Sequence, residues 1–203
     1  AFPLTPLGQV GSAGAAEQLI VALDRALCER GHRSVVVACE GSLVRGELIP
    51  TPRSPALLDE RARRDAHEAL RAAIARARRD LAVDLLHLHG VDFNDYLPAA
   101  GPPALVTLHL PPSCYPVGAL RCERPGTFLH GVSPAQHRAC PPGTVLLDPI
   151  PHGVAVDELV PAPSSGRYAL VLGRISPERG IHLAVEAARE ADVPLVLAGE
   201  VRS

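Results

Sequence analysis

The chain has 203 residues, 47% of them hydrophobic, with a formal net charge of −2 at pH 7 and a mean hydropathy of +0.13. That length is enough for one large or two small domains. The near-neutral charge gives no electrostatic reason to expect nucleic acid as a partner, no apolar run is long enough to cross a membrane, and no signal peptide is visible. We therefore expect a soluble, cytoplasmic protein. All 20 Lys or Arg residues are Arg, a bias that fits a GC-rich bacterial genome.

The five cysteines, at positions 28, 39, 114, 122 and 140, are odd in number and irregularly spaced. This pattern argues against the disulfide framework of a secreted protein. Three of them share a region with His109, His130 and His137, which raises the alternative of a zinc site. No Cys-x2-Cys or His-x3-His pair is present, so we expect reduced thiols and no metal.

The first predicted helix covers residues 17–30 and follows an apolar start and a glycine-rich stretch. Gly8, Gly11 and Gly14 lie where a strand gives way to this helix, and small residues there let backbone N–H groups approach a phosphate. Their spacing differs from the Gly-x-Gly-x-x-Gly pattern of dinucleotide sites. The alternative is a flexible entry loop that packs on a partner domain.

A buried strand is predicted over residues 34–39, followed by a proline-rich loop over 40–58 and an Arg-rich helix over 59–80. The alternating charges of the helix favour a solvated face, with an anionic membrane surface or an acceptor as the alternative partner. Glu40 ends the strand where the ribose-binding acid of an NAD-type oxidoreductase would lie.

Two further strands, over residues 81–89 and 104–109, end in histidines. His87, His89 and His109 thus reach the carboxyl ends of strands, where open α/β sheets bind ligands. We expect backbone partners for His87 and His89. The polar residues that follow the first of these strands are candidates for an acceptor pocket, or alternatively for a capped helix start: Asp92, Asn94, Asp95 and Tyr96.

The end of the chain predicts one strand-helix-strand unit over residues 168–201. Its tight turn carries Arg174 and Arg179, with Ser176 as a helix N-cap and Pro177 at the first helical position. A helix N-terminus flanked by two guanidinium groups favours a bound diphosphate, and two solvated surface arginines are the alternative.

Several of these motifs together resemble family-four retaining glycosyltransferases of GT-B architecture. The resemblance is carried by Gly14-Ala15-Ala16-Glu17, Thr107-Leu108-His109, Val132-Ser133-Pro134, Ile150-Pro151-His152-Gly153-Val154 and Gly173-Arg174-Ile175-Ser176-Pro177-Glu178-Arg179-Gly180. His152 stands where this family usually has Asn, and Arg179 where it usually has Lys. The resemblance implies an α/β fold with two Rossmann-like domains.

We accordingly expect an acceptor-side domain over residues 1–150, a hinge and linker over 151–167, and the start of a donor-binding domain over 168–203. The family continues beyond such a start and has a pair of glutamates that no residues after Gly199 provide. We therefore expect the second domain to be incomplete in this chain.

The resemblance also implies the chemistry. It places the diphosphate of a UDP-, GDP- or dTDP-sugar on Arg174 and Arg179, with help from Gly11 and Gly14, and His109 near the reacting carbon. It implies no cofactor, no metal, and a small-molecule, saccharide or lipid-linked acceptor. A non-catalytic nucleotide-binding fragment and an NAD-type oxidoreductase are the alternatives.

Overall fold

A computed structural model describes residues 6–8, 14–53, 59–160 and 166–199. The chain divides into two compact units, of which the first extends through Gly153 and the second begins at Val154. Gly11 lies outside the described residues, as do residues 1–5, which include the apolar start.

The described residues form four α-helices and seven strands. The helices are α1 (Ala15–Glu29), α2 (Glu60–Asp80), α3 (Pro134–Arg138) and α4 (Ile181–Glu190), and the strands are β1 (Val35–Cys39), β2 (Glu47–Thr51), β3 (Leu86–Leu88), β4 (Ala104–Leu108), β5 (Thr127–Gly131), β6 (Ala169–Leu172) and β7 (Leu195–Ala198). All the described strand pairs are parallel: β1 with β2, β3 with β4, β4 with β5, and β6 with β7. The predicted mixed α/β fold with parallel sheets is confirmed.

The main core of the first unit lies on one face of the β3-β4-β5 sheet. Side chains alternate between the two faces of a strand, so Val106 and Leu108 of β4 share a face with Leu88 and Leu129 of its neighbours. Phe93 is fully buried in the same cluster. The residues at the alternate positions of these strands therefore lie on the opposite face of the sheet.

Residues 40–58 were predicted to be a loop because of their prolines, but they contain the strand β2. Pro50 lies within β2 opposite Ala38. The N–H of Glu47 donates to Ser34 and the carbonyl of Thr51 accepts from Glu40, so odd-numbered residues of β2 bond to β1. The nitrogen of Pro50 points the other way, where its missing N–H leaves no bond unmade within this pair.

Helix α2 begins and ends where the sequence predicts. The side chain of Asp59 accepts the N–H of Ala62 at 2.7 Å and caps the helix. The buried side is formed by His67, Leu70, Ala73, Ile74 and Ala77. Arg61 and Arg64 are exposed and lie 3.9 and 3.8 Å from carboxylates four residues away, as on a solvated helix face.

A buried carboxylate fastens α1 to the loop between β1 and β2. Asp24 is 2% exposed, and its carboxylate accepts the backbone N–H of Arg45 at 2.6 Å and that of Gly46 at 3.2 Å. Because Asp24→Ala leaves both part-buried donors without this carboxylate, we expect it to lower the free energy of unfolding by about 2 kcal/mol. Urea unfolding followed by circular dichroism measures this.

The matched control is Asp65→Ala. Asp65 is exposed and lies 3.9 Å from Arg61, so its loss is expected to cost well under 1 kcal/mol. Equal losses from the two variants would contradict the role assigned to Asp24.

Candidate active site

One face of the β3-β4-β5 sheet carries histidines at its carboxyl edge. His87 belongs to β3, and His89 follows that strand directly. Thr107 belongs to β4, and His130 belongs to β5, directly opposite Thr107. These residues alternate with the leucines and valines of the core face, as side chains on a strand must. His109 continues the same alternation one residue after β4.

The first set of contacts has a fixed direction. Nδ1 of His130 lies 3.1 Å from the carbonyl of Gly131 and so carries a proton, which leaves Nε2 of His130 to accept the Thr107 hydroxyl at 2.7 Å. The Thr107 oxygen in turn accepts from Nε2 of His87 at 2.8 Å. A single tautomer of His87 and of His130 satisfies all three bonds. A backbone partner was expected for His87, but its partner is the side chain of Thr107.

In a second chain of histidines, the contacts do not determine which nitrogen of each ring carries the proton. Nδ1 of His89 lies 3.0 Å from Nε2 of His109, and Nδ1 of His109 lies 3.4 Å from Nε2 of His152. The successive rings are nearly parallel, inclined by 29° and 21°. His89 therefore also has a side-chain partner, and both nitrogens of His109 are engaged by imidazoles.

Burial keeps most of these rings uncharged. Desolvation, with a smaller contribution from neighbouring histidines, lowers the pKa of His87 and of His109 to about 4 and that of His89 to about 2. Burial also lowers the pKa of His130. At neutral pH His87, His89, His109 and His130 thus offer neutral hydrogen-bonding groups.

Residues of α3 hold the strand ends around His109 in place. Ser133 caps α3 by accepting the N–H of Gln136 at 3.1 Å. The side chain of Gln136 accepts from Val132 and donates to the carbonyls of Leu108 and Leu110, at 2.8 and 2.6 Å. The Val132-Ser133-Pro134 motif was evident in the sequence, but these hydrogen bonds depend on side-chain reach that residue spacing does not reveal.

No metal centre emerges from the histidine and cysteine residues. In the part of the chain that the structure describes, no three His, Cys, Asp or Glu side chains are arranged to hold a metal ion. The five cysteines are free thiols. The imidazoles at the edge of the β3-β4-β5 sheet bond to each other, to Thr107 or to the carbonyl of Gly131.

The residues predicted for the acceptor divide into buried and exposed members. Asp92 bonds to His67 of α2, with 2.8 Å between Oδ2 and Nε2, and its side chain is 16% exposed. Tyr96 is buried, and burial together with the charge of Asp92 raises the pKa of its hydroxyl. Asn94 and Asp95 are exposed. Asp92 begins the short 3-10 turn at Phe93–Asp95, but its side chain does not cap it.

Asp95 also borders a polar surface depression of about 450 Å³. The depression is lined by Glu60, Arg63, Arg64, His67, Arg71 and Asp95. Arg71 donates to the carbonyl of Asp95 at 2.8 Å and joins α2 to the 3-10 turn. Of the predicted acceptor residues, Asp95 is therefore the one that lines this depression.

In the second unit, the turn after β6 differs from the predicted helix start. Pro177–Arg179 forms a 3-10 turn, and Gly180 then adopts a left-handed conformation, with φ 66°, before α4 begins at Ile181. Ser176 begins the 3-10 turn without capping it. Arg174 and Arg179 are both exposed. The hydroxyl of Ser176 is buried and has no hydrogen-bond partner among the described residues.

The glycine predicted to approach a phosphate in the first unit is Gly14, which precedes α1. Its carbonyl accepts the N–H of Gln18 at 3.2 Å, and a side chain at this position would meet the carboxylate of Glu17. A carboxylate in the first turn interacts favourably with a helix N-terminus and competes there with a phosphate.

The fold of the chain is similar to that of a known glycosyltransferase. No protein-family model matches the chain, and neither does any curated protein sequence. Among solved structures, it is similar to the crystal structure of AviGT4, a glycosyltransferase involved in avilamycin A biosynthesis, with a TM-score of 0.56 and 22% identity. The similarity covers 91% of this chain and 48% of AviGT4. The chain therefore shares its α/β fold with part of that neighbour and spans about half of the neighbour's length.

Proposed function

We propose that this chain is part of a retaining glycosyltransferase of the GT-B type, which transfers a sugar from a UDP-, GDP- or dTDP-sugar to an acceptor. The observation that carries the proposal is the fold similarity to a glycosyltransferase over 91% of the chain. The position of His109 supports it, because ligands of open parallel sheets bind beyond the carboxyl ends of the strands. On this proposal the acceptor lies beside the 3-10 turn that holds Asp95.

The proposed reaction develops opposite charges in two places. Negative charge grows on the departing diphosphate, and the guanidinium groups of Arg174 and Arg179 are suited to stabilise it. Positive charge grows on the sugar ring, beside which a cation would be unfavourable. Burial keeps His109 neutral, with its pKa lowered to about 4, so it is suited to bind a sugar hydroxyl there.

Ser176 adds a donor to the proposed diphosphate site. A buried hydroxyl without a partner costs free energy, and a phosphate oxygen would accept a hydrogen bond from it. The exposed arginines on either side of Ser176 leave their donors open to an anion. We infer that the turn between β6 and α4 is better suited to hold a diphosphate than to a purely structural role.

The test is incubation of the protein with each of the three classes of nucleotide-sugar, followed by mass spectrometry of the products. We expect nucleoside diphosphate to be released with one class, and a sugar to be added to an acceptor when one is supplied. The absence of both release and transfer with all three would contradict the proposal.

A binding experiment tests the diphosphate site separately. We expect Arg174→Ala to weaken nucleoside diphosphate binding about ten- to a hundredfold, the loss of one charge-assisted hydrogen bond, and to leave nucleoside binding nearly unchanged. Arg179→Lys is the matched control, because it keeps the charge. Isothermal titration calorimetry with both ligands measures this, and equal losses for the two ligands would contradict the assignment.

The second candidate function is a nucleotide-binding module that does not turn over. It is favoured by the turn after β6, where two exposed arginines and the buried Ser176 hydroxyl would serve to bind a diphosphate without any turnover. Binding of a nucleoside diphosphate without any donor hydrolysis would support it.

The NAD-type alternative depends on Glu40. This residue is exposed, and its carboxylate lies 3.8 Å from the guanidinium group of Arg53. NAD binding that is stronger than nucleoside diphosphate binding would favour that alternative.

A further inference from the structure

His89, His109 and His152 form a chain of three imidazoles that leads from the sheet face to the surface of the first unit. His89 and His109 are partly buried, whereas His152 is exposed. His152 precedes Gly153, the last residue of the unit. We propose that His152 is a positioning residue that sets which nitrogen of His109 carries the proton.

The argument begins with the number of protons. A neutral imidazole has one N–H donor and one acceptor nitrogen, and His109 uses both nitrogens within the chain, at 3.0 and 3.4 Å. If Nε2 of His152 donates, Nδ1 of His109 must accept, and its Nε2 must donate to His89. If Nε2 of His152 accepts, both bonds run in the opposite direction. The two arrangements differ only in where the protons lie.

His152 can select between these arrangements because it is the most exposed of the three rings. Charge is least costly on an exposed ring, and burial holds the pKa of His109 and His89 well below the usual range. A protonated His152 carries N–H on both nitrogens and cannot accept a hydrogen bond. Protonation of His152 therefore leaves one arrangement, in which His109 carries its proton on Nε2.

Every proton that moves when one arrangement changes into the other can be accounted for. Starting from the arrangement in which His152 accepts, the proton on Nδ1 of His109 passes to Nε2 of His152. The proton on Nδ1 of His89 passes to Nε2 of His109, and His89 gains one from water at its own Nε2. The chain as a whole takes up one proton, which ends as the charge on His152.

The other titratable groups around His109 do not compete for this control. His87 and His130, on the adjacent strands, are held in single tautomers by Thr107 and the carbonyl of Gly131. His137 of α3 accepts the N–H of Gly131 at 2.7 Å. On the loop after β4, the Tyr115 hydroxyl accepts the N–H of Leu110 at 3.3 Å. Each of these groups is already committed to a partner.

The consequence for catalysis rests on the role proposed for His109. A sugar hydroxyl that replaces His152 at Nδ1 meets an acceptor in one arrangement and a donor in the other. The tautomer inherited from His152 therefore decides which hydrogen bond the ring offers first. A residue that only fills space at position 152 would have no such effect.

The test reads the ring nitrogens directly. Long-range ¹H–¹⁵N spectra of histidine-labelled protein without substrate, recorded between pH 8 and pH 6, report the tautomer of His109. In the wild type we expect the Nε2 signal to move toward that of a protonated nitrogen, and the Nδ1 signal toward that of an unprotonated one, as the pH falls. In His152→Ala we expect no dependence on pH.

Two further variants sharpen the result. His152→Lys supplies a group that only donates, so we expect His109 to carry its proton on Nε2 at every pH. His32→Ala removes another exposed histidine of the same unit and should behave as the wild type. A pH response that persists in His152→Ala, or is missing from the wild type, would overturn the proposal. The readout needs no turnover, so a failure of sugar transfer would refute the proposed function and leave this test unaffected.

Discussion

As the pH falls from 6.5 toward 4, we expect this protein to lose several kcal/mol of its free energy of unfolding. The pKa values of His87 and His89 are lowered by burial to about 4 and about 2, against about 6.5 in an unfolded chain. Below pH 6.5 the unfolded state takes up protons that the folded state does not, so the folded state loses stability. These two rings alone give a slope of about 2–3 kcal/mol per pH unit near pH 5. His109 is more open to solvent and adds less.

Urea unfolding at half-unit steps from pH 7 to pH 4.5, followed by circular dichroism, measures this slope. His89→Gln removes one titrating ring and should reduce the slope by about 1 kcal/mol per pH unit near pH 5. His32→Gln removes an exposed ring and should leave the slope unchanged. A free energy of unfolding that stays constant over this range would show that the histidine cluster is solvated.

Gly199→Ala is expected to disorder the sheet of the second unit. A side chain at position 199 would overlap the carbonyl oxygen of Gly173, and the backbone of Gly173 is itself fixed by its bond to the carbonyl of Ala198 at 2.9 Å. Because neither backbone can give way without breaking the β6–β7 pairing, we expect a cost of about 3 kcal/mol or more.

Hydrogen exchange measured by mass spectrometry locates the damage. Amide protection should be lost over β6 and β7 and retained over β3, β4 and β5. Gly118→Ala is the matched control, because a side chain at position 118 meets open space and its φ of −75° suits alanine. Full protection of β6 in Gly199→Ala would show that the close approach is not required.

The sequence predicts most of the fold because local patterns determine it. Asp59 marks the start of α2 by capping it, and the apolar run at residues 195–198 coincides with β7. The predicted elements are wrong where one residue type is compatible with two kinds of local structure. Pro50 suggested a loop although its ring is compatible with the open side of β2, and Pro177 suggested an α-helix that Gly180 delays by four residues.

The site was less accessible to sequence reasoning because it depends on contacts between distant parts of the chain. The histidines at the strand ends were predicted one by one, but the pairing of Thr107 with His130 follows from the register of β4 and β5. Asp92 bonds to His67, which is 25 positions away on α2, and no local pattern couples them. The roles of Arg174, Arg179, His109 and Asp95 stay predictions.

The fixed chain through Thr107 also constrains how this sequence can vary. One hydroxyl accepts from His87 and donates to His130, so an apolar replacement leaves two buried nitrogens without partners. Among the other residue types only serine supplies a small hydroxyl in its place. Valine would fit the volume, but we expect it to be tolerated only together with apolar residues at positions 87 and 130. The three positions thus form an epistatic group, which a combinatorial library of these codons would reveal as variants that survive together and fail alone.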